Sequence, residues 1–386
     1  MNLSKKEKSI IYINYSPYEN SGNILDYLLE NFTFVYLFTI AFHPLGSSQK
    51  TNKIIIYKDK KIIKETLIHY MHVPAKLVFL LLPIRSAINI LQLFWHVLII
   101  NRVYGKIDTF FSVNAFTIWG GIILKKLGLV NKIVFWVWDY YPINHKSLVV
   151  RIMRWFYWQF DKFATRADKV IYLNKTMVRA RKKAGLLLGS KYLIIPIGTS
   201  LNYGSNRLSS KKVKLGFIGV VKKSQGLDLL FDSADLLQKN FPGITLEVIG
   251  SGPDEEYFKE RSRRSPIITR FYGLVGEKEI YKILSRCTIG VAPYVPDESN
   301  VSYYGDPAKV KIYLGLGLPT IITNVFEFSK ELSKERAGIV IDYYKPEQLV
   351  VAIRKVLSSY TNFSKNAGEL SQKYYYKKLY AKMFDF

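Results

Sequence analysis

The residues best suited to chemistry lie in the stretch 306–324, DPAKVKIYLGLGLPTIITN. Its spacing predicts a short helix over 308–316. Asp306 is placed to accept a backbone N–H as N-cap, and Pro307 suits the first turn, where no N–H is needed. Gly315 and Gly317 open the backbone near the helix end, Pro319 cannot continue it, and 320–323 is a β-branched, strand-like run. A helix N-terminus presents free N–H groups and the positive end of a dipole, which suits a phosphate. Lys309 and Lys311 add charge there. A second candidate is Asp139, which closes the apolar run 132–138 beside Trp138, Tyr140 and Tyr141. A carboxylate at a strand end can take a proton from a hydroxyl, and partial burial beside aromatics would raise its pKa toward that task. The plainer alternative for Asp139 is an anchor for the turn at 140–142. His145 lies nearby, and His43, in AFHP, is a more remote possibility; a lone loop histidine is more often solvent-facing.

These residues need elements to hold them. The 386 residues allow two ordinary domains, and a hydrophobic share of 49% can fill two cores. The single cysteine, Cys287, excludes an internal disulfide framework; its apolar strand context reads as a buried thiol in a reducing compartment. With 56 Lys and Arg against 30 Asp and Glu, the formal charge is +26, a surface that attracts polyanions. No zinc spacing or RNA-binding signature accompanies it, so nucleic-acid binding would be weak, salt-sensitive and blind to sequence. The start, MNLSKKEKSIIYINYS, runs straight into a strand and does not read as a signal peptide.

The stretch 77–100 is long enough to span a bilayer, but Pro83, Arg85, Asn89, Gln92 and His96 interrupt it. Two helices, one core and one amphipathic, are expected there. The stretch 147–166 interleaves Trp155, Phe156, Trp158 and Phe160 with Arg151, Arg154, Lys162 and Arg166. That mixture suits a helix lying on an anionic membrane surface, and equally a core helix with a solvated face.

Apolar strands alternate with helical patterns along the chain, which argues for α/β domains with mostly parallel sheets. The expected organisation is a first domain over 1–200, a polar linker over 201–212, a second domain over 213–360 and a helical tail over 361–386. The first strand–loop–helix lacks a dinucleotide fingerprint, so no nicotinamide cofactor is read there.

In the central stretch, Pro307, Lys309, Tyr313, Gly317 and Pro319 match the pattern Pro-x-Lys-x-x-Glu-Tyr-x-x-x-Gly-x-Pro. This resembles the donor-site motif of GT-B glycosyltransferases, especially the large retaining family four. The glutamate position is Ile312 and that of its usual partner is Tyr304. Glu298 and Asp306 share the pair's spacing, with Asp306 better explained as a cap. The turn 250–253 is similar to the family's Gly-x-Gly-Pro. Gly219 matches the turn where the family holds the donor pyrophosphate with an arginine and a lysine. Here Val220 and Gln225 occupy those places, and Lys222 and Lys223 lie between them. Family members commonly have a His-Asp pair where this chain has Trp138 and Asp139.

The resemblance implies two Rossmann-like domains facing a cleft, and a tail that crosses back onto the first. It implies donor contacts from Gly219, Lys222, Lys223, Gly250, Lys309 and Tyr313, Asp139 as the catalytic carboxylate, and Tyr141 and His145 on the acceptor side. It implies a nucleotide-sugar donor and a lipid-linked or growing surface glycan as acceptor, at the cytoplasmic face of the cell membrane. No metal or other cofactor is expected, since such enzymes generally lack the Asp-x-Asp motif. Two alternatives stay open: a nucleotide-sugar epimerase on the same fold, and a degenerate member that binds glycan or lipid as an assembly partner.

Overall fold

In the computed structural model, residues 8–14, 19–40, 51–73, 77–201 and 212–385 are described. His43 and most of the expected linker 201–212 lie outside them. The chain divides into two compact units, Met1–Pro196 with Tyr380–Phe386, and Ile197–Leu379.

The first unit runs β1 (Ser9–Asn14), α1 (Ile24–Asn31), β2 (Phe34–Thr39), β3 (Asn52–Lys58), β4 (Lys61–Ile68), α2 (Val78–Tyr104), β5 (Ile107–Ser112), α3 (Ala115–Lys126), β6 (Val130–Val137), α4 (Leu148–Ala164), β7 (Lys169–Tyr172), α5 (Lys175–Lys183) and β8 (Tyr192–Ile194). Its eight strands lie in the order β4-β3-β2-β1-β5-β6-β7-β8. All neighbours pair parallel except β3, which is antiparallel to both β2 and β4. β1 is buried along its whole length, as an apolar run inside a parallel sheet must be. The strand order reverses at the β1/β5 junction.

The region of α2 is one continuous helix, not the expected two. Its polar interruptions explain why. Arg85, Asn89, Gln92 and His96 recur at helical spacing on one side, and Leu82, Ser86, Ile90, Leu93 and Val97 form a buried face. Pro83 is past the first turn, so it withdraws one backbone hydrogen bond, and the helix continues through it. By length and composition alone, Leu81–Tyr104 is apolar enough to cross a bilayer; here the helix packs against α3.

The second unit runs β9 (Lys214–Ile218), α6 (Asp228–Asp232), α7 (Ala234–Asn240), β10 (Thr245–Ile249), α8 (Glu255–Arg263), β11 (Ile268–Phe271), α9 (Glu277–Leu284), β12 (Ile289–Ala292), α10 (Ala308–Gly315), β13 (Thr320–Thr323), α11 (Phe328–Lys334), β14 (Gly338–Ile341), α12 (Glu347–Ser358) and α13 (Tyr360–Ser371). The last helix, α14 (Tyr376–Ala381), carries the chain back to the first unit. There the Tyr380 hydroxyl donates to the Gly22 carbonyl at 2.8 Å, and the Phe384 ring packs on Tyr27 and Phe111. The six strands of the second unit are all parallel, in the order β11-β10-β9-β12-β13-β14, and reverse direction of winding between β9 and β12. Ligands of open α/β sheets bind at such switch points, beyond the carboxyl ends of the strands.

Candidate donor site

The loop after β9 and the helix after β12 meet at the switch point of the second unit. Gly219 follows β9 with φ of +143°, and its N–H donates to the Ile249 carbonyl at 2.9 Å. Gly250 follows β10 with φ of +120°, and its N–H donates to the Gly273 carbonyl at 2.8 Å. A Cβ on Gly250 would sit 2.1 Å from the Gly219 carbonyl oxygen. The two turns touch backbone to backbone, which only glycine allows.

Lys309 lies directly beside this pair. A Cβ on Gly219 would come within 3.2 Å of the Lys309 Nζ. The side chain is buried, with its ammonium 3.9 Å from the centre of the Phe217 ring and 4.5 Å from that of Tyr294. Its ammonium donates to Gln225 Oε1 at 2.8 Å, and Gln225 in turn donates to Ser302 Oγ at 3.3 Å. Burial, and then the nearby Lys222, push the Lys309 pKa well below its ordinary value. Lys222 is half-buried, whereas Lys223 turns away, its ammonium 4.1 Å from the centre of the Tyr257 ring. The structure therefore brings Gly219, Gly250, Lys222 and Lys309 together and sends Lys223 outward. Gln225, read only as a departure from a pattern, is the residue that holds Lys309. A polar residue beside the tight turn at Gly226 was the available signal.

Tyr313 is fully buried. Its hydroxyl accepts from the Ile218 N–H at 3.1 Å and donates to the Val291 carbonyl at 3.2 Å. It ties β9 to β12 and so braces the switch point from below.

Asp306 is not the N-cap of α10; Pro307 takes that position, with no side-chain cap. The Asp306 carboxylate instead accepts from the Ile197 N–H at 2.8 Å and lies 3.7 Å from the Lys311 ammonium. Lys311 is also not displayed at a helix end. It is buried over the Phe328 and Tyr374 rings, and burial pulls its pKa down to about 8 against the opposing pull of Asp306. An anchored loop and a buried lysine replace the anion-facing helix terminus. Asp306 is thus committed elsewhere and forms no pair with Glu298, whose side chain is exposed and accepts from the Tyr303 hydroxyl at 3.4 Å.

In the first unit Asp139 is exposed rather than partly buried, because it lies beyond the last residue of β6 that the sheet covers. Its carboxylate accepts from the Tyr141 hydroxyl at 3.3 Å. The following loop is tied to α4: Trp158 Nε1 donates to the Tyr141 carbonyl at 2.9 Å, and Arg154 donates to the Pro142 carbonyl. His145 accepts the Ser147 N–H on Nδ1 at 3.1 Å, at the start of α4. Asp139 and Tyr141 come together, and His145 serves the helix entry. Cys287 is buried, and its thiol is pushed up to about 12 by that burial. Among the described residues no cluster of side chains is arranged to hold a metal ion.

Residues 212–359 match the family model described as glycosyl transferases group 1. No curated protein sequence matches the chain. Among solved structures, sucrose-phosphate synthase from Thermosynechococcus elongatus is similar over 98% of this chain and 97% of its own, with 15% identity and a TM-score of 0.68. The α,α-trehalose 6-phosphate synthase of Burkholderia multivorans is similar over 98% and 97%, with 11% identity and a TM-score of 0.62. Anabaena HepE in complex with UDP is similar over 74% and 79%, with 13% identity and a TM-score of 0.57. The fold of those proteins, GT-B, is the one built here from two doubly wound units, and the second unit is similar to the group 1 glycosyl transferases over residues 212–359.

Proposed function

We propose that the protein moves a sugar from a nucleotide-sugar donor to a lipid-linked or polysaccharide acceptor, with the donor diphosphate held at the Gly219–Lys309 turn. One observation carries this reading: a buried ammonium with no carboxylate partner lies against a glycine turn at a switch point. When the bond to the sugar breaks, the leaving diphosphate gains negative charge. Fixed cations placed beforehand stabilise that charge most in the transition state. In this reading Lys309 and Lys222 supply it. Solved relatives of the same fold support the ligand class, since HepE was obtained with UDP and with UDP-glucose.

In this reading Asp139, steadied by the Tyr141 hydroxyl, takes the proton of the acceptor hydroxyl. Membrane contact has its own support. α4 exposes Leu148, Val149, Ile152 and Trp155 next to Arg151, and α2 exposes Leu91, Trp95, Leu98 and Val103. Apolar ridges with basic neighbours suit an anionic bilayer surface on the cytoplasmic side.

The absence of a carboxylate at Tyr304 and Ile312 favours one competing reading, a member that binds nucleotide or glycan without turnover. Ile312 packs against an apolar cluster and offers no polar group to a ribose. A thermal-shift panel of UDP, GDP and other nucleoside diphosphates, run on the wild type and on Lys309→Ala, tests the donor site. Stabilisation by one base, lost in the variant, supports it. No response to any nucleotide at millimolar concentration overturns it. Sugar release from the stabilising donor then separates transferase from binder.

A further inference from the structure

The first unit holds a second buried cation, and this one has no hydrogen-bond acceptor at all among the described residues. Arg85 is 2% exposed, yet Nε and both terminal nitrogens of its guanidinium are unpartnered. Its guanidinium carbon lies over the Tyr70 ring, 4.6 Å from the ring centre. The adjacent Ser86 hydroxyl is buried and equally unpartnered. The surrounding polar groups are satisfied: Asn52 donates to the His69 carbonyl at 3.0 Å and to Asn89 Oδ1 at 3.4 Å, and Gln92 donates to the same His69 carbonyl at 3.2 Å. The unpartnered donors of this region are those of Arg85 and Ser86.

Topology puts this pair at a ligand-binding edge. β4 runs in the same direction as β1 and β2, because β3 is antiparallel to both its neighbours. α2 follows β4 and leads into the parallel strand β5, so its first turns lie at the carboxyl edge of the sheet. A buried cation without a counter-charge is costly, and a guanidinium matches the paired oxygens of a phosphoryl group in shape and charge.

We propose that Arg85, with Ser86 and Tyr70, is an anion subsite that takes the phosphoryl group of an anionic acceptor. This rests on the transferase reading above and assigns the chemistry of its second substrate. The test uses the full chain with saturating UDP, which keeps the donor site occupied, and titrates pyrophosphate by calorimetry and thermal shift. The variants are Arg85→Met and Arg85→Lys. Pyrophosphate is expected to bind the wild type and to bind Arg85→Met roughly ten- to a hundredfold more weakly, with UDP binding unchanged. Without ligand, Arg85→Met is expected to melt at or above the wild type, because an uncompensated buried charge has gone. Arg85→Lys, which keeps the charge but not the fork, should bind with intermediate affinity and covers the case in which Arg85→Met does not fold.

Equal pyrophosphate binding by wild type and Arg85→Met or Arg85→Lys overturns the proposal, as does a ligand-free melting point of Arg85→Met well below the wild type with binding retained. Geranyl pyrophosphate and glucose 6-phosphate then distinguish a lipid-linked from a soluble source, and tighter binding of either, lost in Arg85→Met, supports the site. Should UDP itself fail to bind, pyrophosphate is titrated into Lys309→Met, so that the donor reading and the Arg85 subsite fail separately.

Discussion

Among the described residues each unit buries two cations, and in each unit the two are treated differently. In the first, Arg181 donates to Asp161 through both terminal nitrogens, one at 3.1 Å, whereas Arg85 meets no acceptor. In the second, Lys311 sits beside Asp306, whereas Lys309 has only the neutral amide of Gln225 and two aromatic rings. The paired members join elements: Arg181 of α5 to Asp161 of α4, and α10 through Lys311 and Asp306 to the chain at Ile197. The others lack any carboxylate: Lys309 lies against the Gly219 turn at the switch point, and Arg85 lies inside α2 beside the Tyr70 ring. Burial alone does not distinguish a structural cation from one held ready for an anion. The partner does.

The largest effect should come from breaking a pair. Asp161→Ala leaves Arg181 buried and unmatched and is expected to cost about 3–5 kcal/mol in urea unfolding. A loss no greater than that of Arg85→Met would break the comparison.

A pH series sharpens it next. Lys311 has its folded pKa pulled down to about 8, while an unfolded lysine titrates near 10.4. Between those values the unfolded chain holds the proton that the folded chain has released. Stability should therefore rise with pH across that window, by at most about 3 kcal/mol. Lys311→Met should flatten the rise. The Cys287 thiol and buried tyrosines such as Tyr360, both raised to about 12, act in the opposite direction above their unfolded values of about 8.5 and 10, so the lysine contribution is read as the difference between wild type and Lys311→Met.

Gly219→Val places a side chain at positive φ, 3.2 Å from the Lys309 Nζ. It should cost about 1–3 kcal/mol through backbone strain and abolish nucleotide stabilisation. Lys309→Met should abolish the same response with no loss of ligand-free stability, because it removes a desolvated charge. A nucleotide response that survives both would place the diphosphate elsewhere.

The smallest effect on the fold should come from Trp155→Glu on the exposed ridge of α4, within about 0.5 kcal/mol of wild type. Its readout is sedimentation with vesicles rich in phosphatidylglycerol, which should fall. Unchanged sedimentation would remove α4 from the membrane reading.

Much of this was legible from the chain. Buried parallel strands read as apolar runs, and β1, β6 and β9 lie where those runs are. The pattern around Lys309 and Gly219 carried the fold family. Where the reading failed, the reason was spatial. Asp306 has the composition of a cap, yet its nearest orphan N–H belongs to Ile197, far away in sequence. Lys311 looked like surface charge until Phe328 and Tyr374 closed over it. Polar residues in α2 suggested a break, although their spacing fits one face of a single helix.

The sequence by itself determined the alternation of strands and helices, the two-unit organisation and the glycine turns, because these follow from local periodicity and backbone freedom. Only the tertiary structure decided which charges are matched. A counter-ion is chosen by distance in space: the fold gives Arg181 the aspartate of α4 and leaves Arg85 without one.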